Sequence, residues 1–336
     1  MASFDALIRR NKRNTTVLIV AVAVLLCALA SAIALLVVGI RGGMAETDEF
    51  GYAAYQPPPM WHTVATACAV ALAVAVLLVL VSYYGGSAAL LSISGARPIE
   101  KPDDPQLWNV VEEMCIAANM PMPKIYLIDD TAMNAFATGR DPEHACVAIT
   151  TGLRHRLQRD ELQGVMAHEL SHVRNYDIRL AMVAAIMVGL IVLLADMLTR
   201  YFWWVGGRRR GRGGGAAQII LVVAALLLAI LAPLFARLLQ LALSRQREYL
   251  ADASAAEMTR YPEGLARALA KLEADTEVLE AANRATAPLY IVNPFKPHEK
   301  RFQTSSLYRT HPDTKERIER LMSIGGSAGA VQGTNS

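Results

Sequence analysis

"AHELSHVRNYD", residues 167–177, puts two histidines, a glutamate, an arginine and an aspartate into eleven positions of a chain that elsewhere runs for long stretches without a charge. On a helix, His168 and His172 stack on one face about one turn apart, close enough for both imidazoles to bind one metal ion. Glu169 is offset by about 100° and reaches a metal-bound water rather than the metal itself. The neighbours Met166, Ala167, Leu170 and Val173 are apolar, so such a helix can be buried behind the site. Two imidazoles buried there with no ligand or partner would be costly.

Two histidines are too few, because a catalytic zinc normally takes three protein ligands and keeps one position open for water. His144, His155, Asp177, Glu248 and His311 are the candidates for the third. "REYLAD", residues 247–252, favours Glu248. It sets Glu248 and Asp252 one turn apart on a helix face, the first to ligate and the second to hydrogen-bond the outer nitrogen of a ligating histidine. Asp177, five residues past His172, is expected as another orienting carboxylate or as the polar end of the helix. The chemistry asks for this set: zinc lowers the pKa of its water to about 7, and a carboxylate, here Glu169, takes the proton as the water attacks a peptide carbonyl.

The rest of the chain is membrane-like. Its 336 residues are 54% hydrophobic and 19% charged, below the roughly 25% charged residues of ordinary soluble domains. Mean hydropathy is positive, at +0.29. Thr15–Ile40 and Thr63–Tyr84 carry no charge, and each exceeds the roughly 20 residues that cross a bilayer as a helix. The first run is too long for the apolar region of a cleavable signal peptide. Arg9, Arg10, Lys12 and Arg13 precede the first span, whereas Glu46, Asp48 and Glu49 follow it. The bias in Lys and Arg puts the N-terminus and the polar region after the second span in the cytoplasm. Neither span holds the ionisable or broken-helix features of a transporter or channel. Cys27 and Cys68 lie within the spans and Cys115 and Cys146 are isolated, so no disulfide framework is expected. A net charge of +3, with the basic residues juxtamembrane or scattered, points to no nucleic-acid partner.

The chain is expected to divide into a basic N-terminus (1–14), a first span (15–40), an outer loop (41–60), a second span (61–86), a first domain segment (87–179), a third apolar helix (180–204), an Arg/Gly-rich loop (205–217), a fourth apolar helix (218–243), a second domain segment (244–322) and a disordered tail (323–336). Asp104 and Pro105 start one amphipathic helix as cap and first-turn residue. "KIYLIDD", "NAFATG" and "HACVAIT" read as short strands. A helix follows around "TGLRHRLQ", and Asp160 is expected to cap the next, with Gln163 in capping-box position. That helix carries the opening stretch and runs into the third apolar region. The third and fourth apolar helices are expected as a membrane hairpin, although two full crossings would leave Arg208, Arg209, Arg210 and Arg212 on the outer side, against the charge bias.

The combination resembles the HtpX-type membrane zinc metallopeptidases, relatives of the CAAX prenyl endopeptidases. It is carried by two N-terminal spans, "NAFATG", "HELSHVRNYD", a hydrophobic hairpin, "REYLADASAA" and "HPDTKERI". The resemblance implies an α-helical membrane protein with an α+β metallopeptidase domain, a small β-sheet with an edge strand, and one Zn2+ per chain held by His168, His172 and Glu248, with Glu169 as general base. It further implies that Asn134, Ala135, Phe136 and Ala137 flank the substrate cleft as an edge strand that pairs with extended peptides, and that His311 and Arg317 stabilise the oxyanion or brace the site. The expected role is turnover of unfolded or misassembled membrane proteins at the cytoplasmic face of a bacterial cell membrane, in quality control and stress response. A CAAX-type endopeptidase acting on prenylated tails is the alternative.

Overall fold

The computed structural model describes residues 4–43, 59–186, 200, 245–282, 286–292, 294 and 312–332. Most of the expected apolar hairpin, past residue 186, the Arg/Gly-rich loop between its helices and His311 lie outside the described residues, as does most of the outer loop. The chain forms two units, one comprising 16–81 and 187–237, the other 1–15, 82–186 and 238–336.

The apolar unit is described through the helices α1 (Phe4–Gly43) and α2 (Met60–Ile93). Only 11% of the most apolar window of α2 is buried, and Val70, Leu77 and Val81 are all more than half exposed. An apolar helix that buries so little of itself is built for lipid rather than for a protein core. The equivalent window of α1, within Ile8–Ala28, is 19% buried. Ser31 Oγ donates to the Cys27 carbonyl at 2.7 Å and lies 3.1 Å from Cys68 Sγ, the kind of internal pairing that hydrocarbon, with no water to bond to, favours. The buried hydroxyls of Thr63 and Ser82 on α2, by contrast, make no hydrogen bond.

The second unit is built on a mixed sheet of β1 (Arg97–Pro98), β2 (Lys124–Ile128), β3 (Ala135–Gly139) and β4 (Ala145–Thr150) in the order β1-β2-β4-β3. β2 and β4 run parallel with Ile125 opposite Val147, whereas β3 is antiparallel to β4 with Ala137 opposite Val147. β3 is therefore an edge strand. β1 lies in the Pro-rich lead-in, for which the sequence suggested no strand. Every residue of β3 and β4 is buried, because both faces of the sheet are covered. Ile125, Ala135, Ala137, Val147 and Ile149 share one core cluster with Val110, Val111, Leu162, Val165, Met166 and Leu170. Phe136, Cys146 and Ala148 face the other way, toward Leu279 and Tyr290. Alternation along a strand dictates the split.

α3 (Pro105–Ala118) starts as expected: the Asp104 carboxylate accepts from the Leu107 N–H at 3.0 Å, and Arg154 Nε and Nη2 bond the same carboxylate at 2.5 and 2.9 Å. α4 (Thr151–Arg156) begins directly after β4, tight against the turn before β3. A Cβ on Gly152 would stand 1.9 Å from the Thr131 carbonyl oxygen and 2.4 Å from its carbon. Neither can move without dragging that turn, so Gly152→Ala is expected to cost about 1–3 kcal/mol or more. A melting temperature equal to wild type would refute this.

α5 (Arg159–Arg174) carries the opening stretch and is almost wholly buried. Its start differs from expectation by two residues. Gln158 is the capping residue and its N–H donates to Glu161 Oε2 at 2.8 Å, while Asp160 turns outward to pair with Arg267. Glu161 sits at the third helical position, where a side chain reaches back to the cap N–H, and Lys271 holds it there at 2.6 Å. The other end differs too. Asn175 and Tyr176 break the helix, Tyr176 in a left-handed conformation with φ 59°, before helix resumes over 177–186. α6 (Arg245–Thr259) and α7 (Pro262–Ala274) pack against α5, and α8 (Thr314–Gln332) against α7. α8 runs to Gln332, through much of the stretch expected to be disordered. A Cβ on Gly325 of α8 would meet the Glu263 carboxylate of α7, the movable end of a flexible side chain.

Candidate active site

The four-residue spacing on α5 directs both imidazoles into one gap. The His168 and His172 ring centroids are 4.8 Å apart with planes at 89°, and their Nε2 atoms are 3.3 Å apart. α6 supplies Glu248, with Oε2 3.7 Å from His168 Nε2 and Oε1 3.6 Å from His172 Nε2. A tetrahedral ion with ligands at about 2.0–2.1 Å needs donor atoms about 3.3–3.4 Å apart. The two imidazole nitrogens stand at that spacing, each faces a different oxygen of Glu248, and one donor atom from each residue can be chosen with all three within 4.8 Å of one another. Among the described residues, this is the only group of three or more His, Cys, Asp or Glu side chains with donor atoms close enough to share an ion. His144 instead bonds Asp141 at 2.6 Å, and His155 is exposed on α4.

The outer nitrogens of both rings face carboxylates. His168 Nδ1 lies 3.0 Å from Asp252 Oδ1, and His172 Nδ1 lies 3.0 Å from Asp177 Oδ2. With the Nδ1 protons engaged there, the Nε2 lone pairs are turned to the gap, which is how carboxylates orient imidazole ligands. On an uninterrupted helix, five residues would rotate Asp177 by about 140° from His172. The break at 175–176 brings the carboxylate back to the ring.

Arg317, on α8, is buried to 1% exposure beside this cluster. Its Nε and Nη2 form a fork on Asp252 at 2.9 and 2.7 Å, Nη1 is 3.7 Å from Glu248 Oε2, and Nη2 is 3.4 Å from both nitrogens of His168. Burial opposes ionisation of the Asp252 carboxylate, but the guanidinium and His168 outweigh it and hold that carboxyl below its usual range. Burial lowers the pKa of His168, and the Arg317 charge adds to that. His172 is also buried against its charge, yet Asp177, Glu248 and Glu169 raise it to about 9 in the metal-free site.

Glu169 is 2% exposed, and burial lifts its carboxyl to about 7, a value suited to exchanging protons near neutrality. The Ala137 N–H on β3 is directed at this carboxylate. The edge strand therefore borders the site, but its first residues are engaged within the chain. The Ala135 carbonyl accepts from the Ile291 N–H at 3.0 Å, and the Asn134 side chain donates to the Val292 carbonyl at 3.2 Å. Phe136 packs edge-on to Tyr290 across the sheet from Glu169. Of the four edge residues expected at the cleft, Ala137 is the one directed at Glu169.

Two residues at the site carried no signal in the sequence. Asn11, in the basic N-terminal run, donates to Asp177 Oδ1 at 2.6 Å. Arg247 reaches the same oxygen at 3.5 Å and is largely buried. Neither long-range pairing has a local pattern to betray it.

Residues 101–324 match peptidase family M48. A protein described as Protease HtpX homolog from Dictyoglomus thermophilum is 44% identical over 327 residues, covering 96% of this chain and 95% of that one. A homolog of the same description from Dictyoglomus turgidum is 49% identical over 244 residues, covering 73% and 77%. Among solved structures, S. mikatae Ste24p aligns with a TM-score of 0.43 at 20% identity, over 73% of this chain and 56% of that one. The protein is a metallopeptidase, an enzyme that hydrolyses peptide bonds, and it is membrane-bound. The chain belongs to peptidase family M48.

Proposed function

We propose that this protein is a membrane-anchored zinc endopeptidase whose site faces the cytoplasm and cleaves unfolded or misassembled membrane proteins, in quality control and stress response. The observation that carries the proposal is the donor set: two imidazole nitrogens and a carboxylate spaced at 3.3, 3.6 and 3.7 Å, with each imidazole tethered from behind by a carboxylate. His168, His172 and Glu248 would hold one zinc ion, leaving a position open. Zinc bound there would acidify a water and polarise the scissile carbonyl.

The chain's own residues do the rest. Glu169 accepts a proton from the attacking water and returns it to the leaving amine, a shuttle favoured by a carboxyl poised near 7. β3 is the edge strand that borders Glu169, and an extended peptide lying along it would select unfolded segments over folded ones. Arg317 neutralises Asp252 and Glu248 and keeps their carboxylates in place. The basic run before the first span, set against the acidic loop after it, supports the cytoplasmic orientation, where tails and loops of misassembled membrane proteins are within reach.

Purified protein is expected to carry one zinc per chain, to lose hydrolysis of an unfolded substrate on chelation, and to regain it on adding zinc. Glu248→Ala is expected to purify with little zinc while Glu169→Gln keeps it. Stoichiometric zinc in Glu248→Ala, or activity indifferent to chelation, would overturn the assignment.

A further inference from the structure

The run "RRNKR", residues 9–13, has a single uncharged member, Asn11. It is the buried one: Arg9, Arg10, Lys12 and Arg13 are exposed, and Asn11 is 5% exposed. Its Nδ2 donates to Asp177 Oδ1 at 2.6 Å and to the Asn175 carbonyl at 2.9 Å. An amide nitrogen has two hydrogens, and both are committed. The segment is held in place around it, with Thr15 Oγ1 bonded to the Asn11 carbonyl at 3.0 Å and Lys12 Nζ 4.4 Å from the centroid of the Tyr176 ring.

We propose that Asn11 is a positioning residue of the peptidase site, fixing through Asp177 the imidazole of His172. The inference rests on the zinc reading above and adds a residue to it. Asp177 can orient His172 only if its carboxylate is itself prevented from turning, since a single side-chain torsion would carry Oδ2 away from Nδ1. Asn11 blocks that rotation by occupying Oδ1, and it pins the 175–176 turn that aims Asp177 at the ring. It does so with a neutral donor, which draws no more of the carboxylate charge away from His172 than Arg247 Nη1, 3.5 Å from the same oxygen, already does. A lysine or arginine there would compete for that charge, and an aspartate would repel it. Because Asn11 lies on the same helix as the first apolar run, four residues ahead of its start, the helix that inserts in the membrane also completes the metal site.

The test is the zinc dissociation constant of the full chain in detergent, measured by competition with a chromophoric chelator. Direct carboxylate partners of ligating histidines are worth about 10–100-fold in metal affinity. One bond further out, Asn11→Ala is expected to weaken zinc by about 5–10-fold. The isosteric Asn11→Asp, which keeps the volume and reverses the interaction, should weaken it at least as much. On an Asp177→Ala background, Asn11→Ala should add nothing, because the link it serves is already cut. Lys12→Ala, which loses the Tyr176 contact but not this link, should stay within about two-fold of wild type. Wild-type affinity in both Asn11 variants would overturn the proposal, as would an undiminished loss on the Asp177→Ala background or an equal loss in Lys12→Ala. Glu248→Ala, run alongside, separates the two levels. If it binds zinc like wild type, the metal-site reading fails; if it loses zinc while the Asn11 variants do not, only the role of Asn11 fails.

Discussion

Glu169→Gln is expected to lower kcat for hydrolysis of an unfolded substrate by about 10²–10⁴-fold, the range for removing a general base, with zinc content unchanged. The amide fits the same buried slot but cannot take the proton. Retained zinc distinguishes loss of the base from loss of the site, and wild-type turnover would refute the assignment. The same variant carries a stability signature in the metal-free protein. The folded Glu169 carboxyl ionises near 7 against an ordinary 4.5. Below about pH 4.5 the group is protonated in both states and costs nothing. Between 4.5 and 7 the unfolded chain loses its proton first, so stability falls as pH rises, by up to about 3 kcal/mol above 7. Metal-free Glu169→Gln should therefore melt higher than metal-free wild type at pH 8, and the difference should vanish near pH 4. No gain at pH 8 would mean that burial is not what raises this carboxyl.

Arg317→Ala is expected to be the most destabilising single change in the described part of the site. The guanidinium forks Asp252 and approaches Glu248 while 1% exposed. Removing it leaves the buried Asp252 carboxylate without its cation and Glu248 with His172, a loss of about 3–5 kcal/mol. Lysine keeps the charge but not the fork, so Arg317→Lys should fall between. Asp252→Asn, placed on the Arg317→Ala background, should recover part of the loss because it removes the charge left unpaired. Thermal unfolding of the metal-free forms reads all three. A change within about 1 kcal/mol for Arg317→Ala would show that the ion pair is solvated rather than buried.

How much of this was legible follows from the range of each interaction. The strands of β2, β3 and β4, the start of α3 at Asp104 and the one-turn spacings His168–His172 and Glu248–Asp252 are local patterns, written in residues a few positions apart. The cap of α5 was misread locally: Asp160 has the better intrinsic preference, but Glu161 is held by Lys271 of α7 and captures the Gln158 N–H instead. That choice depends on a residue 110 positions away, which no window of sequence contains. Arg317 entered only through resemblance, because nothing around it distinguishes a buried arginine from the exposed ones beside it.

The sequence by itself determined the two apolar spans, the metal-binding pattern on α5 and the carboxylates on α6, since hydropathy and helical periodicity act over one or a few turns. Only the tertiary structure decided that His168, His172 and Glu248 stand at 3.3–3.7 Å from one another, that Arg317 neutralises the carboxylates behind them, and that Asn11 reaches Asp177 from 166 residues away. Those are distances between elements, set by which helix faces bury together, and a linear pattern can name the groups without placing them.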